Sequence, residues 1–97
     1  MTEQEKMLAG KIYNPADATL KALSEQAHRL SRAYNQLDEG AGDARKKIMR
    51  ELLPNAAQSA YLQGPIQFDY GIFTELGENF YANFNFTVLD CAPVKVG

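Results

Sequence analysis

Residues 66–97 read IQFDYG IFTELG ENFYAN FNFTVL DCAPVK VG when they are divided into groups of six. The first position is apolar in four groups of six, and the exceptions are Glu78 and Asp90. The fifth position is apolar apart from one tyrosine hydroxyl, and it holds Tyr70, Leu76, Ala82, Val88 and Val94. An inward column repeated every six residues, with Gly or Asn at the corners, is typical of a hexapeptide β-helix. The same residues also fit an antiparallel sheet with turns at residues 70–71 and 76–79.

Two helices are predicted in the first third of the chain. Residues 16–34 carry an apolar stripe at spacings of three and four, which predicts an amphipathic helix. Pro15 suits a position in or just ahead of its first turn. The stripe consists of Leu20, Leu23, Ala27, Leu30 and Tyr34. A short helix over residues 3–8 is predicted to close at Gly10, because glycine tolerates the backbone conformation that ends helices.

A third helix is predicted after the sequence LDEGAGD at residues 37–43. The two glycines among acidic residues predict a loop. Asp43 is a candidate N-cap, since its short carboxylate can accept from the first free N–H groups of a helix. We expect this helix to end at Pro54.

The composition changes after Pro54, where Lys95 is the only basic residue and aromatic and branched residues accumulate. The change predicts a boundary near residues 54–64. We therefore divide the chain into a helical segment at residues 1–57 and the start of a β-helix at residues 58–97, an α+β organisation.

Charge and cysteine content exclude several classes of function. Ten Lys and Arg against twelve Asp and Glu give a net charge of −2, which provides no attraction for nucleic acid or an anionic membrane. The N-terminus has no apolar signal region and no stretch is long enough for a bilayer span, so we expect a cytoplasmic protein. Cys91 and His28 are the only residues of their types, so neither a disulfide nor a metal site is expected.

Several separated blocks of the chain closely resemble the sugar O-acetyltransferases of the maltose and galactoside acetyltransferase type. The blocks are EKMLAGKIY at 5–13 with Asp17 after it, RAYN at 32–35, FDYG at 68–71, GENFYANFNFTVLD at 77–90 and APVKVG at 92–97. The resemblance covers the whole chain. It implies a helical N-terminal segment followed by the first coils of a left-handed parallel β-helix.

The resemblance also implies an activity. Such enzymes are homotrimers that transfer acetyl from acetyl-CoA to a sugar hydroxyl, at sites between neighbouring subunits, with a histidine as general base. In the family this histidine lies further along the β-helix than Gly97. We therefore expect the chain to be the truncated N-terminal half of such an enzyme, inactive alone, with no catalytic residue and only a small part of the acetyl-CoA site.

The resemblance suggests residues that bind the sugar acceptor. Asn83 matches a sugar-contacting position, and an amide can both donate to and accept from hydroxyls. The alternative for Asn83 is a corner residue in the left-handed conformation. Asp69 matches a polar position that lines the acceptor site, and Asp17 resembles an acidic residue that reaches the sugar. Tyr81 can stack on a sugar or fill an interface.

Two neighbouring residues compete for the family's acidic acceptor position. Asp90 breaks the apolar first column, as functional residues often break a local rule, while alignment with galactoside-type relatives places the position on Cys91. The alternatives are a solvent-facing corner for Asp90 and a packed thiol for Cys91. Ser24 stands where some relatives carry a sugar-contacting arginine, and His28 is expected on the polar face of its helix.

Two rival interpretations remain open at the level of sequence. One is a non-catalytic oligomerisation or binding module, and the other is a short protein with a mixed sheet and no catalysis. Continued six-residue groups with an embedded histidine after Gly97 would favour the enzyme.

Overall fold

The computed structural model describes all residues 1–97, with three helices followed by six short strands. The helices are α1 (Glu3–Leu8), α2 (Ala18–Gln36) and α3 (Gly42–Leu52). The strands are β1 (Tyr61–Leu62), β2 (Ile66–Phe68), β3 (Thr74–Leu76), β4 (Tyr81–Ala82), β5 (Phe86–Val88) and β6 (Val94–Val96). None of the three helices combines the length and the apolar character needed to cross a bilayer.

The strands form two coils of a three-sided parallel β-helix. β1 pairs with β4, β2 with β5 and β3 with β6, and all three pairs are parallel. Each two-stranded sheet is one face of the prism, so β1 to β3 make one coil and β4 to β6 the next. The antiparallel alternative is therefore wrong.

Each coil contains 20 residues rather than three groups of six, since Leu62 lies opposite Ala82 and Leu76 opposite Val96. The two residues by which the coil exceeds three groups of six lie at the corner formed by residues 69–73. In the fifth column Tyr70, Leu76 and Ala82 are buried and Val88 and Val94 are half-buried, as an inward column requires. In the first column Glu78 and Phe84 are exposed, because the corner shifts the six-residue frame.

Gly71 is required at this corner. Its φ is +76°, and a Cβ atom there would lie 2.4 Å from the carbonyl oxygen of Leu52. Asn79 and Asn85 turn two other corners with φ of 60° and 62°, a conformation that asparagine tolerates better than most residues.

The helix ends lie within two residues of the predicted positions, and the predicted N-cap of α3 is the one residue assigned wrongly. At the end of α1 the N–H of Gly10 donates to the Met7 carbonyl and that of Lys11 to the Lys6 carbonyl, which is a Schellman motif. Helix α3 ends at Leu52, before Pro54. The prediction that Asp43 is its N-cap is wrong, because Ala41 caps the helix without a side-chain hydrogen bond and Asp43 lies in the first turn.

Helices and coils share one apolar core. Ala27 and Tyr34 of α2 and Leu52 of α3 pack with residues that line the coils, namely Leu62, Ile66, Phe68, Leu76 and Ala82. A smaller cluster joins Met7, Leu20 and Tyr70. Ala56 forms a parallel bridge with Leu76, which connects the segment after α3 to the same face as β3 and β6. The division at residue 57 stays a prediction.

Candidate functional site

A cluster of polar side chains lies at the corner between β2 and β3. The Cys91 thiol donates to Asp69 Oδ2 at 3.6 Å, and His28 Nε2 lies 3.7 Å from Asp69 Oδ1. Tyr13 and Cys91 both pack against the small apolar cluster of Met7, Leu20 and Tyr70. The side chains of His28 and Asp69 are 37% and 30% exposed, so this corner cluster is open to a ligand.

The corner cluster holds its thiol in the neutral form. Burial raises the pKa of Cys91, the nearby Tyr13 hydroxyl partly opposes this, and the negative charge of Asp69 raises the pKa further. Burial also raises the pKa of Tyr13. A neutral thiol is a weak nucleophile, so Cys91 acts here as a packed group and weak donor. The cluster offers a carboxylate acceptor, a phenol and an imidazole to a hydroxylated ligand.

His28 does more than face solvent from the polar side of α2. Its pairing with Asp69 was not anticipated from the sequence, because the two residues are 41 positions apart and meet only when α2 packs against β2. The signal in the sequence is that His28 follows Ala27 of the buried stripe. A residue next to the stripe lies at the edge of the packed face, where its side chain can reach the neighbouring element.

Asp90 lies beside the corner cluster but is fully buried, with 0% exposure. Its Oδ1 accepts from the backbone N–H of Tyr70 at 2.7 Å, and its Oδ2 accepts from the Thr74 hydroxyl at 3.0 Å. Asp90 therefore joins the second coil to the first. The alternative that Asp90 faces solvent at a corner is wrong. Both of its carboxylate oxygens already accept hydrogen bonds within the protein, so its predicted contact with the sugar stays a prediction that this burial disfavours.

Tyr81 and Asn83 lie away from the corner cluster, on and after β4. The Tyr81 ring is 60% exposed and stacks on Tyr61 with centroids 5.5 Å apart. Asn83 is exposed, and its Oδ1 accepts from the N–H of Phe84 at 2.9 Å, which leaves its amide N–H groups for a ligand. The alternative that Asn83 turns a corner with positive φ is wrong, since Asn79 and Asn85 do so.

Asp17 and Ser24 have structural partners in α2. Asp17 Oδ2 accepts from the N–H groups of Thr19 and Leu20, so this carboxylate is the N-cap of the helix. Its other oxygen has no partner. Ser24 donates to the Lys21 carbonyl within the same helix. The helix cap is a sufficient physical reason for an acid at position 17, and a sugar contact there stays a prediction.

Most of the candidate residues therefore form two groups at different corners of the prism, and Asp17 lies apart at the start of α2. Asp69 lies between β2 and β3 and Cys91 between β5 and β6, which is the same corner of the prism. Asn83 lies between β4 and β5, at the neighbouring corner. The face that separates them carries three strand residues, which span about 10 Å.

The fold defines a class of protein: two coils of a three-sided parallel β-helix behind a helical cap, as in hexapeptide-repeat proteins. Residues 6–57 match the family model described as the maltose acetyltransferase hexapeptide capping motif. The chain belongs to this family of hexapeptide-repeat sugar O-acetyltransferases, and the predicted resemblance is confirmed.

Relatives and solved structures agree with this assignment. The chain is 34% identical to nodulation protein L of Rhizobium meliloti, and the aligned region covers 99% of this chain and 52% of nodulation protein L. A maltose O-acetyltransferase from Clostridium difficile superposes with a TM-score of 0.87 at 36% identity, covering 98% of this chain and 52% of that one. A galactoside acetyltransferase in complex with coenzyme A superposes with a TM-score of 0.91 at 28% identity, and the match covers 100% of this chain and 48% of that one. The chain thus spans about half the length of these relatives.

Proposed function

We propose that the chain supplies acceptor-binding residues of an acetyl-CoA-dependent sugar O-acetyltransferase of the cytoplasm. Family membership and the shared fold support an acetyltransferase. The observation that carries the acceptor assignment is the exposed amide of Asn83, held by Phe84 beside an aromatic stack. Amide groups beside an exposed aromatic surface suit a polyol, which presents both hydroxyls and apolar ring faces.

The positions of the two groups support a site between copies of the chain. Asn83 and Tyr81 lie at one corner of the prism and Asp69 and Cys91 at the neighbouring corner, and the family resemblance implies acceptor sites between neighbouring subunits. In the ring of three copies that we propose, the first corner of one chain faces the second corner of the next. We therefore propose a homotrimer whose acceptor sites each take residues from two subunits.

The acetyl transfer needs a general base near the sugar hydroxyl and a site for the donor. His28 is the only histidine of the 97 residues, and it is paired with Asp69. In our proposal His28 orients Asp69, and the base is a histidine that residues 1–97 do not contain. Two relatives were solved with coenzyme A or acetyl coenzyme A, which supports acetyl-CoA as the donor here.

The test is the effect of Asn83→Ala on acetyl transfer by the natural gene product. We expect kcat/KM for the sugar to fall about 10- to 100-fold, because a lost hydrogen bond and an unpaired hydroxyl cost about 1.5–3 kcal/mol. Thr87→Ala is the matched control, since Thr87 is exposed on β5 of the same coil. Unchanged kinetics in Asn83→Ala, with Thr87→Ala also unchanged, would remove Asn83 from the site.

A further inference from the structure

A cavity of about 210 Å³ lies between α3 and the segment that leads into β1. None of the residues of the corner cluster lines it, and neither does Asn83 or Tyr81. Four residues of α3 form one wall, and residues 56–58 with Ala60 form the other. The cavity is smaller than the roughly 300–1,000 Å³ of sites for drug-sized ligands, so it suits a small molecule.

Most of the lining of this cavity is apolar. Met49 and Leu53 line it from α3, and Ala56, Ala57 and Ala60 line it from the opposite wall. Leu53 and Ala60 are buried, whereas Met49, Ala56 and Ala57 are only half-buried, so part of the apolar surface stays uncovered. A methionine side chain is unbranched and flexible, so it adapts to the shape of a ligand. The lining therefore suits a short saturated chain, which gains free energy when it leaves water.

Two cations stand at the rim of the same cavity. Lys46 and Arg50 are exposed, and both line the cavity from α3. They are four residues apart, so they lie on one face of the helix with Cβ atoms about 5–6 Å apart, and a single anion can contact both. Like charges at this spacing repel each other and destabilise a helix, and a bound anion removes that repulsion.

No carboxylate of the protein neutralises these two cations. The ion pairs of the structure join Lys6 to Glu3 and His28 to Asp69, and neither involves α3. The opposite wall offers no acid, because residues 54–60 contain neither Asp nor Glu. The chain as a whole carries a net charge of −2, so the two cations at the rim are a local feature rather than part of a basic surface.

A larger cavity of about 300 Å³, beside the α2–α3 loop, does not suit an anion. Asp38 and Glu39 line it, and their charges repel an anion. Its one cation, Arg45, donates through Nη2 to the carbonyls of Leu62 and Gln63. An anionic ligand is therefore favoured at the cavity beside α3.

We propose that the cavity beside α3 binds a carboxylate that carries a short saturated chain. The two carboxylate oxygens accept hydrogen bonds from Lys46 and Arg50 at the rim, a charge-assisted contact for which a planar guanidinium is well shaped. The chain packs against Met49 and the alanines of the opposite wall. This site is separate from the acceptor residues and does not rest on the proposed function.

The test is the affinity of the natural gene product for octanoate, measured by isothermal titration calorimetry beside acetate and octanol. Octanoate is expected to bind at least about tenfold more tightly than either, because acetate lacks the chain and octanol lacks the charge. Lys46→Gln combined with Arg50→Gln should weaken octanoate binding about tenfold, since two charged contacts are lost. Lys47→Gln is the matched control, because Lys47 is exposed on α3 and lies outside the cavity.

The position of the ligand is tested by NMR of methionine methyl groups in the same protein. The signal of Met49, assigned with Met49→Leu, is expected to shift when octanoate is added, because Met49 lines the cavity. The signal of Met7 is expected to stay constant, because Met7 is buried in the small apolar cluster.

Four results would overturn the proposal. Equal affinities for octanoate and octanol would refute the role of the two cations, and equal affinities for octanoate and acetate would refute the role of the apolar lining. An equal loss in Lys47→Gln and in the double variant would show a general effect of charge instead of a contact. A Met49 signal that does not move at saturating octanoate would place the ligand elsewhere on the protein.

Discussion

Replacing Asp90 with alanine is expected to destabilise the protein by about 3 kcal/mol. The substitution removes two hydrogen bonds to a charged acceptor, from the Tyr70 N–H and the Thr74 hydroxyl. Each such bond contributes about 1.5–3 kcal/mol. Part of the loss is offset because the protein no longer buries a carboxylate without a cation. The remainder is a large share of the stability of a domain this size, which is about 5–15 kcal/mol.

Two further variants separate the hydrogen bonds from the charge. Asp90→Asn keeps one oxygen that accepts from the Tyr70 N–H, and its NH₂ group can donate to the Thr74 hydroxyl oxygen. We therefore expect the free energy of unfolding to fall by about 1 kcal/mol. Thr74→Val removes one of the two partners. In a double-mutant cycle, Asp90→Ala combined with Thr74→Val should cost less than the sum of the single changes, because the two side chains share a bond.

The assay is urea denaturation followed by circular dichroism, with midpoint and slope compared across the set. A loss below about 1 kcal/mol in Asp90→Ala would refute the structural role, because two buried donors left without an acceptor must cost more than that. If Asp90→Ala left stability unchanged and abolished sugar binding, Asp90 would be a residue that contacts the sugar, as the resemblance suggested.

Two other predictions concern the corner between β2 and β3 and its chemistry. Gly71→Ala and Gly10→Ala place alanine at nearly the same φ, +76° and +74°, but of the two only position 71 lacks room for a Cβ. We therefore expect the free energy of unfolding, measured by urea denaturation, to fall by about 3 kcal/mol for Gly71→Ala and by about 1 kcal/mol for Gly10→Ala. Equal losses would contradict the packing of Gly71 on Leu52. Alkylation of Cys91 should rise with pH at a midpoint above that of an exposed cysteine, because burial raises its pKa. Asp69→Asn should lower that midpoint, since the Asp69 charge also raises the pKa, and a midpoint that stays constant would show that Asp69 does not act on the thiol.

The repeat in the sequence predicts a coil but not its length. The apolar fifth column identifies inward positions correctly because short strands alternate around a prism. The 20-residue coil depends on the two extra residues at the Gly71 corner. Their accommodation follows from a contact with Leu52 of α3, which belongs to another part of the chain. A local period cannot show such a contact.

The sequence identifies residue types that suit a sugar site, but it does not show which of them are available to a ligand. Asn83 is exposed with free amide N–H groups, and its contact with a sugar stays a prediction from the resemblance. Asp90 is a buried hydrogen-bond acceptor in the structure, and a polar residue in an apolar column can be either a ligand contact or such a buried acceptor. Only the positions of Tyr70 and Thr74 distinguish the two. The pairing of His28 with Asp69 depends on helix packing and had no local signal beyond the neighbouring stripe.

The measurement that tests our central claim most directly is transfer of a labelled acetyl group from acetyl-CoA to a sugar by the natural gene product. Free coenzyme A and acetylated sugar are quantified together. We predict that both form in equal amounts and only when a sugar is present. Release of coenzyme A at the same rate without sugar, or no acetylated product from any monosaccharide or disaccharide, would contradict the assignment as a sugar O-acetyltransferase.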